Sequence, residues 1–315
     1  MGGTLRRFVL EHHPVRGFCA RLDEPWEELL RLRSYPSPVR VLLGEALTAS
    51  VLLAATLKFQ GTLSLQLEGQ GPLRLLLAQC THDFRVRAVA ELRAGAQLPE
   101  PVPGSAVPAV SSAMADSAAF AELVGSGQLA VTVEAEERAA RYQGIVALEG
   151  GGLAACLESY FASSEQLPTR IALSASATHA AGVLIQKMPG AVTQGEALAA
   201  RSQQAWEELE AQLALLPVSM LASADAEPLA HQLCGRHDAR LFSPASVRFV
   251  CRCSPARVTG LLRALGSEEL RSILVEQGAV TVTCEFCSRA YRFDAIDVER
   301  LLSSGTAPPA PASMN

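Results

Sequence analysis

Residues 247–255 read Val-Arg-Phe-Val-Cys251-Arg-Cys253-Ser-Pro, and residues 284–287 read Cys284-Glu-Phe-Cys287. Four of the eight cysteines of the chain thus lie within 37 residues, as two close pairs separated by 30 residues. Two pairs at this spacing can fold back and surround one tetrahedral ion, and zinc is the metal that suits four thiolates best. Such a site has no open coordination position, so the sequence predicts one structural zinc ion per chain.

The first cysteine pair is closer than in most zinc knuckles, because only Arg252 separates Cys251 from Cys253. A disulfide across Cys-x-Cys closes a very small ring, and an extended backbone holds the two α-carbons near or beyond the comfortable limit for a bridge. Strain of this kind makes a bridge easy to reduce, which is a property of reversible switches. Two interpretations stay open. One is an inert zinc staple worth about 10–16 kcal/mol of apparent free energy; the other is a thiol switch.

Around the cysteines the sequence predicts a small metal segment of two helices and a hairpin. Ser254 is a good N-cap, and Pro255 suits the first helical position. Gly266 ends this helix, and Ser267 can cap a second one that stops at Gly278. The other positions assigned to the segment are Val247 and Phe249 on a strand, Val258, Leu261, Leu262 and Leu265 on a helical stripe, and Val280, Val282, Tyr291 and Phe293 in the hairpin. Five arginines nearby could soften the charge of a zinc tetrathiolate: Arg248, Arg252, Arg257, Arg289 and Arg292.

The first 190 or so residues mix helix and strand patterns. Leu63, Leu65 and Leu67 alternate with polar residues, which is typical of a half-buried strand. Pro38 can open a long helix that reaches Leu53. The further predicted strands are Leu73 to Ala78, Arg85 to Ala90, Leu129 to Val133, Tyr142 to Leu148 and Arg170 to Ser174. Their close spacing predicts an α+β domain with a largely antiparallel sheet and packed helices.

From Gly195 the pattern becomes helical. Glu196 to Leu216 has the composition of a helix, Pro217 stops it, and Asp225 to Cys234 can form a second short helix. One stripe of the longer helix is apolar and consists of Trp206, Leu209, Leu213 and Leu216. The segment has too few apolar positions for a core of its own, so we expect it to pack on the sheet of the first domain.

Composition restricts the function classes. The 27 basic and 32 acidic side chains give a net charge of −5, which argues against a nucleic-acid-binding protein. The N-terminus shows no secretory signal, and the apolar stretch Val41 to Leu57 is too short and polar for a bilayer span. We therefore expect a cytoplasmic protein with reduced thiols. No phosphate loop, dinucleotide fingerprint or nucleophile elbow is present in the sequence, so no catalytic residue is predicted.

Four cysteines lie outside the two pairs and are isolated in the sequence: Cys19, Cys80, Cys156 and Cys234. The neighbours of Cys156 are apolar, so a buried small side chain is the expected role there. The pair Cys284 and Cys287 could alone be the redox pair of a thiol oxidoreductase, but no strand-to-helix context of the thioredoxin type follows it.

With its cysteine quartet, the chain resembles the heat shock protein 33 family of redox-regulated bacterial holdase chaperones. The resemblance spans roughly residues 5 to 300, and the spacing of the quartet is its most specific part. Similar strings are Tyr35-Pro-Ser-Pro-Val39, Ala55-Thr-Leu-Lys-Phe59, Gly69-Gln-Gly-Pro-Leu73, Arg141-Tyr-Gln-Gly144, Ser164-Glu-Gln-Leu-Pro-Thr169 and Gln186-Lys-Met-Pro189.

The resemblance implies an α+β chaperone core over residues 1–194, a metastable helical linker over 195–243 and a zinc-binding redox-switch domain over 244–302. The tail over 303–315 is rich in Ala, Pro and Ser, and this composition predicts disorder. It implies that the reduced quartet binds zinc and that oxidation forms the bridges Cys251–Cys253 and Cys284–Cys287 with loss of the metal. The oxidised protein would then dimerise and hold unfolding client proteins without ATP, and no membrane or nucleic-acid partner is expected. The linker residues Trp206, Leu209 and Leu213 are the candidate client surface. The rival hypotheses are a zinc-ribbon nucleic-acid module and an inert structural-zinc protein.

Overall fold

The computed structural model describes residues 2–98, 113–135, 141–148, 151–189 and 196–303. Contacts between α-carbons divide the chain into two compact units, Met1–Val250 and Cys251–Asn315. The predicted α+β fold class is confirmed by the strands and helices of these units.

The first unit contains one large sheet. Its strands are β1 (Gly3–Leu10), β2 (Val15–Arg21), β3 (Gly61–Gly69), β4 (Leu73–Thr81), β5 (Arg85–Leu92), β6 (Gly127–Ala135), β7 (Arg141–Ala147), β8 (Thr169–Ala175), β9 (Ala180–Lys187), β10 (Ala239–Leu241) and β11 (Ala245–Phe249). The strand order is β7-β6-β3-β4-β5-β11-β1-β2-β9-β8, with β10 paired to β1. Among the described strands all pairings are antiparallel except that of β11 with β5. The period-two pattern of β3 has the predicted result, because Leu63, Leu65 and Leu67 are buried in the core.

Helices pack on this sheet. They are α1 (Asp23–Leu32), α2 (Ser37–Thr56), α3 (Ala113–Val124), α4 (Leu153–Tyr160) with a π-helical turn over Phe161–Glu165, α5 (Glu196–Ala214), α6 (Val218–Ser223) and α7 (Ala226–Cys234). The helix predicted from Pro38 is α2. It packs against β3, β4 and β5 in one half of the sheet and against β2, β8 and β9 in the other half. Among the helices that the structure describes, α2 alone has the length and hydropathy of a membrane span, but 72% of its apolar window is buried. That burial is typical of a core helix.

The helices α5 to α7 cover a second apolar cluster. Trp206, Leu209, Leu213 and Leu216 are buried there against Phe8 and other residues of β1, β2, β8 and β9. The neighbours Phe18 and Cys19 on β2 belong to different clusters, and successive strand residues point to opposite faces. The second cluster therefore lies on the opposite face of this half of the sheet from α2. The prediction that the helical segment packs on the sheet is confirmed.

Strand β11 joins the two halves of the sheet. Its residues pair antiparallel with β1 and parallel with β5, and Val247 is buried in the main core. Val247 and Phe249 were predicted to belong to the metal segment. They belong instead to the first unit, which extends to Val250. The division at 194/195 and 243/244 remains a prediction.

The second unit is small. It contains α8 (Pro255–Leu265), α9 (Ser267–Gln277), the hairpin strands β12 (Val280–Thr283) and β13 (Ala290–Phe293), and α10 (Ala295–Ser303). Its buried apolar cluster consists of Val258, Leu262, Leu270, Val280, Val298 and Leu301. The order of two helices followed by a hairpin agrees with the prediction.

Three details of the second unit differ from the prediction or test it directly. The Ser254 hydroxyl accepts a hydrogen bond from the backbone N–H of Arg257 at 3.3 Å, which confirms the predicted N-cap. The predicted cap at Ser267 is wrong, because Gly266 occupies the N-cap position and Ser267 is the first helical residue. Leu261 and Leu265 are exposed rather than buried, because the core contacts α8 only on the side of Val258 and Leu262.

The predicted tail begins at Ser303, which is instead the last residue of α10. Residues 304–315 lie outside the described part of the chain.

Candidate metal centre

The four clustered cysteines lie on two connections of the second unit. Cys251 and Cys253 precede α8, whose N-terminus is fixed by the Ser254 cap. Cys284 and Cys287 lie in the turn between β12 and β13. The backbone N–H of Ser288 donates to the Cys284 carbonyl at 2.8 Å, and Ser288 adopts the left-handed region with φ of 54°. The turn is thereby tightened, and both cysteines of the second pair reach the first pair.

The sulfur atoms of the quartet form one compact group. The Sγ atoms of Cys251 and Cys284 are 3.6 Å apart, and those of Cys253 and Cys287 are 3.4 Å apart. All four sulfur atoms lie within 4.8 Å of one another, and this is the one such group of three or more His, Cys, Asp or Glu ligands among the described residues. A tetrahedral zinc ion with Zn–S bonds of about 2.3 Å would separate the sulfur atoms by about 3.8 Å. The donor set and its spacing therefore fit a four-coordinate thiolate site.

Hydrogen bonds distribute charge unequally over the quartet. Burial opposes ionisation of Cys253, but hydrogen bonds outweigh it, above all the one that the Tyr291 hydroxyl donates to the sulfur at 3.1 Å, and lower the pKa of this thiol to about 7. Burial raises the pKa of Cys251, and it raises the pKa of Cys287 to about 12. Of these three thiols, Cys253 therefore ionises most readily.

Arg289 is one of the five arginines predicted to lie near the quartet, and it interacts electrostatically with Cys253 and Cys287. Its pKa is raised, first by a hydrogen bond with Tyr291 and then by the charges of Tyr291, Cys253 and Cys287. Its guanidinium can therefore partly offset the negative charge of bound thiolates. Arg248, in contrast, lies on β11 in the first unit.

The hydrogen bond from Tyr291 to the Cys253 sulfur was not predicted from the sequence. Tyr291 was assigned only to the return strand of the hairpin, and it does lie on β13 opposite Val282. No motif or spacing in the sequence indicates that its hydroxyl reaches a cysteine 38 positions earlier. A partner that donates to a metal ligand orients that ligand and tunes its basicity.

The structure buries the candidate client residues of the linker. Trp206 and Leu213 are 4% exposed, and Leu209 is fully buried. In this conformation they contact the sheet and are closed to other proteins. They can act on a client only after the linker leaves the sheet.

Comparisons with known proteins agree with the resemblance. A family model described as "Hsp33 protein" matches residues 3–294. The chain is 37% identical over 305 residues to the "33 kDa chaperonin" of Shewanella woodyi, with 97% of each chain covered. It is 38% identical over 306 residues to the protein of the same name from Nitrosococcus oceani, with 97% of this chain and 96% of that one covered.

A solved structure shares the fold. The crystal structure of the 33 kDa chaperonin (heat shock protein 33 homologue) of Thermotoga maritima superposes with a TM-score of 0.79, covering 96% of this chain and 98% of that chain at 24% identity. At this identity the likeness concerns the fold alone. The family model covers more than nine tenths of the sequence, and the relatives are similar over almost their whole length. The chain therefore belongs to the Hsp33 family.

Proposed function

We propose that this chain is a redox-regulated, ATP-independent holdase chaperone whose cysteine quartet binds one zinc ion in the reduced state. Family membership and the name "33 kDa chaperonin" of its relatives support the chaperone activity. The observation that carries the regulation is the group of four thiols in a unit with a very small apolar core. The proposed parts are a chaperone core over 1–194, a linker over 195–243 and a switch domain over 244–302.

The size of the core makes the second unit dependent on its metal. Six residues form the buried apolar cluster of this unit. Small domains retain only about 5–15 kcal/mol of net stability, and a structural zinc ion supplies about 10–16 kcal/mol of apparent free energy. Zinc, when bound by Cys251, Cys253, Cys284 and Cys287, would cross-link the two connections. Loss of these ligands would therefore remove about as much free energy as the unit has.

Oxidation is the proposed trigger. Four thiolates, two molecules of hydrogen peroxide and four protons from solvent yield two disulfides and four molecules of water, so four electrons leave the sulfur atoms. The proposed bridges join the neighbours Cys251–Cys253 and Cys284–Cys287. Disulfide sulfur is no longer a thiolate ligand, so the oxidised quartet would not hold a metal and the switch domain would lose that stabilisation and unfold.

The chain between the linker and the quartet suggests how unfolding reaches the linker. After α7 the chain passes through β10 and β11, which are only three and five residues long and both pair with β1. Only Val250 separates the end of β11 from Cys251 in the sequence. We infer that loss of the switch domain loosens β11 and then the linker, because short strands contribute few hydrogen bonds. Release of the linker would expose Trp206, Leu209 and Leu213 together with the sheet residues they cover.

The proposed partners are unfolding proteins that present apolar segments, and a second copy of the chain after oxidation. The exposed apolar surface supplies the physical reason for both, because large apolar patches promote association. The proposed compartment is the cytoplasm, where thiols are reduced by default. The proposal includes no catalytic residue, and the net charge of −5 supports the absence of a nucleic-acid partner.

The proposal is tested by aggregation of a thermally unfolding client enzyme without nucleotide, monitored by light scattering. Peroxide-oxidised protein should suppress aggregation, reduced zinc-loaded protein should do so weakly, and a chromophoric chelator should detect one zinc ion released per chain. The variant Cys156→Ala is a matched control, because Cys156 is buried in the sheet unit far in sequence from the quartet, and it should switch normally. Equal suppression by both forms would leave only an inert zinc staple, and catalytic dithiol turnover would favour an oxidoreductase.

A further inference from the structure

The four cysteines outside the quartet are all buried, but they fall into two different environments. Cys80 and Cys156 belong to the main core between the sheet and α2. Cys19 and Cys234 belong to the second cluster, whose outer wall is formed by the linker helices α5 to α7. Only the second pair would lose its cover if the linker left the sheet.

Cys19 and Cys234 lie on opposite sides of the linker interface. Cys19 is on β2 of the sheet, and Cys234 is the last residue of α7, which contacts β2. Both are less than 5% exposed and share the cluster with Phe8, Leu209 and other apolar side chains. These two thiols, isolated in the sequence, are therefore brought together at the seam between linker and core.

Burial makes this pair unreactive while the linker is docked. It raises the pKa of Cys19 to about 12, with a smaller contribution from the nearby Cys234, and raises the pKa of Cys234 to about 11. The thiolate is the reactive form, so the fraction of reactive thiolate at neutral pH is far smaller for these two buried cysteines than for an exposed thiol. The four cysteines of the quartet are partly exposed, so burial shields them less from small reagents.

We propose that Cys19 and Cys234 form a second thiol-modification site for peroxide and other small electrophiles, opened by release of the linker, and that modification there keeps the linker off the sheet. This inference rests on the linker release of the proposed function. In the peroxide reaction the thiol sulfur attacks one peroxide oxygen, the O–O bond breaks and an S–OH bond forms. The departing hydroxide takes the thiol proton and becomes water, so sulfur is oxidised and peroxide is reduced.

The surroundings of the pair explain why a modified thiol would prevent redocking. The cluster around Cys19 and Cys234 consists of apolar side chains from sheet and linker. A sulfenic acid or a bulkier adduct would place a polar group or added volume in a closely packed apolar interface, and either would disfavour redocking. The quartet would then start the release of the linker, and the pair would prolong it.

Thiol labelling with N-ethylmaleimide, read residue by residue by mass spectrometry, tests the first half of the proposal. Reduced zinc-loaded protein, peroxide-oxidised protein and reduced Leu209→Ala protein are compared, with linker release verified in each sample by hydrogen exchange of residues 196–234. Labelling of Cys19 and Cys234 should accelerate wherever the linker is released, by about 30-fold or more in the Leu209→Ala protein, in line with the expected loss of linker docking. Cys80 and Cys156 are internal controls and should stay protected.

The two failures are distinguishable. If peroxide does not release the linker, the proposed function fails, whereas the Leu209→Ala protein still tests the thiol pair without any oxidant. Protection of Cys19 and Cys234 in a sample whose linker exchanges rapidly would overturn the inference. Parallel labelling of Cys80 and Cys156 would also overturn it, because the whole unit would then be unfolding.

A chemical lock tests the second half. Oxidised protein, whose quartet is blocked as disulfides, is labelled with N-ethylmaleimide and then given reductant and zinc. The labelled wild type should keep its linker in rapid exchange, while the unlabelled wild type and the labelled Cys19→Ala/Cys234→Ala variant should recover protection. Full recovery of the labelled wild type, with both adducts present by mass spectrometry, would refute the lock.

Discussion

Replacement of Leu209 by alanine should loosen the linker without touching the metal site. Leu209 is fully buried in the second cluster, between α5 and the sheet. Truncation of a buried leucine to alanine typically costs about 2–5 kcal/mol, including the cavity that remains. If the loss falls on linker docking alone, the ratio of docked to released linker falls by about 30-fold to about 5000-fold.

Hydrogen exchange followed by mass spectrometry measures this change region by region. Amide exchange in residues 196–234 of reduced Leu209→Ala protein should accelerate by a factor within that range, because local opening governs exchange there. Peptides from β3, β4 and β6 should exchange as in the wild type, and zinc content should be unchanged. Leu215→Ala is the matched control: Leu215 follows α5 but is 75% exposed, so its truncation should leave exchange nearly unaltered.

Two results would refute this reasoning. Unchanged exchange in the linker would mean that Leu209 does not hold it on the sheet, and uniform acceleration across the first unit would mean that linker and sheet unfold as one. A second variant, in which Leu209 and Leu213 are both replaced by serine, distinguishes the two candidate client surfaces. These surfaces are the apolar stripe of the linker and the face of the sheet that the linker covers. Partial chaperone activity without oxidant would assign client binding to the uncovered sheet, whereas lost activity of the oxidised variant would assign it to the linker.

Three further outcomes are expected. Cys253→Ser should lower the zinc content measured by elemental analysis and make residues after Val250 sensitive to limited proteolysis, while the sheet unit stays intact; uniform cleavage along the chain would contradict separable units. Tyr291→Phe removes the hydrogen bond to the Cys253 sulfur and should weaken zinc binding about 10-fold to 100-fold in competition with a chelator, whereas Tyr142→Phe, on β7 of the other unit, should not. Val247→Ala, at the buried position of β11, should accelerate linker exchange with zinc retained, and loss of zinc without a change in exchange would count against transmission through β11.

The sequence predicted β3, which has one polar face, and missed β9, which has almost no polar positions. In β3 the residues Leu63, Leu65 and Leu67 face the core and the residues between them are polar, so the period of two was visible. Strands β1, β2 and β9 were not predicted. In β9, Leu184 packs in the main core, whereas Val183 and Ile185 pack in the second cluster under the linker helices. Nearly every position of the strand is therefore apolar, and no alternation remains in the sequence.

The quartet was predictable because its ligands are close in sequence, and its environment was not. The spacing of the two cysteine pairs indicated a cluster, and the fold brings the four sulfur atoms within 4.8 Å. The contact of Tyr291 with Cys253 and the meeting of Cys19 with Cys234 depend on pairings between distant segments. Neither leaves a local pattern, because such contacts are set by the topology of the hairpin and of the linker.

The apolar strand β9, hidden from periodicity, also bears on client binding. Both of its faces are apolar because both are covered, one in the main core and the other by the linker helices α5 to α7. Phe8 of β1 and Val183 and Ile185 of β9 would therefore become part of an apolar face once α5 to α7 leave. A released linker would expose a matching stripe of Trp206, Leu209 and Leu213. Because both surfaces are complementary to each other, each is suited to an apolar client segment only while the other is absent, so client binding and linker docking should compete.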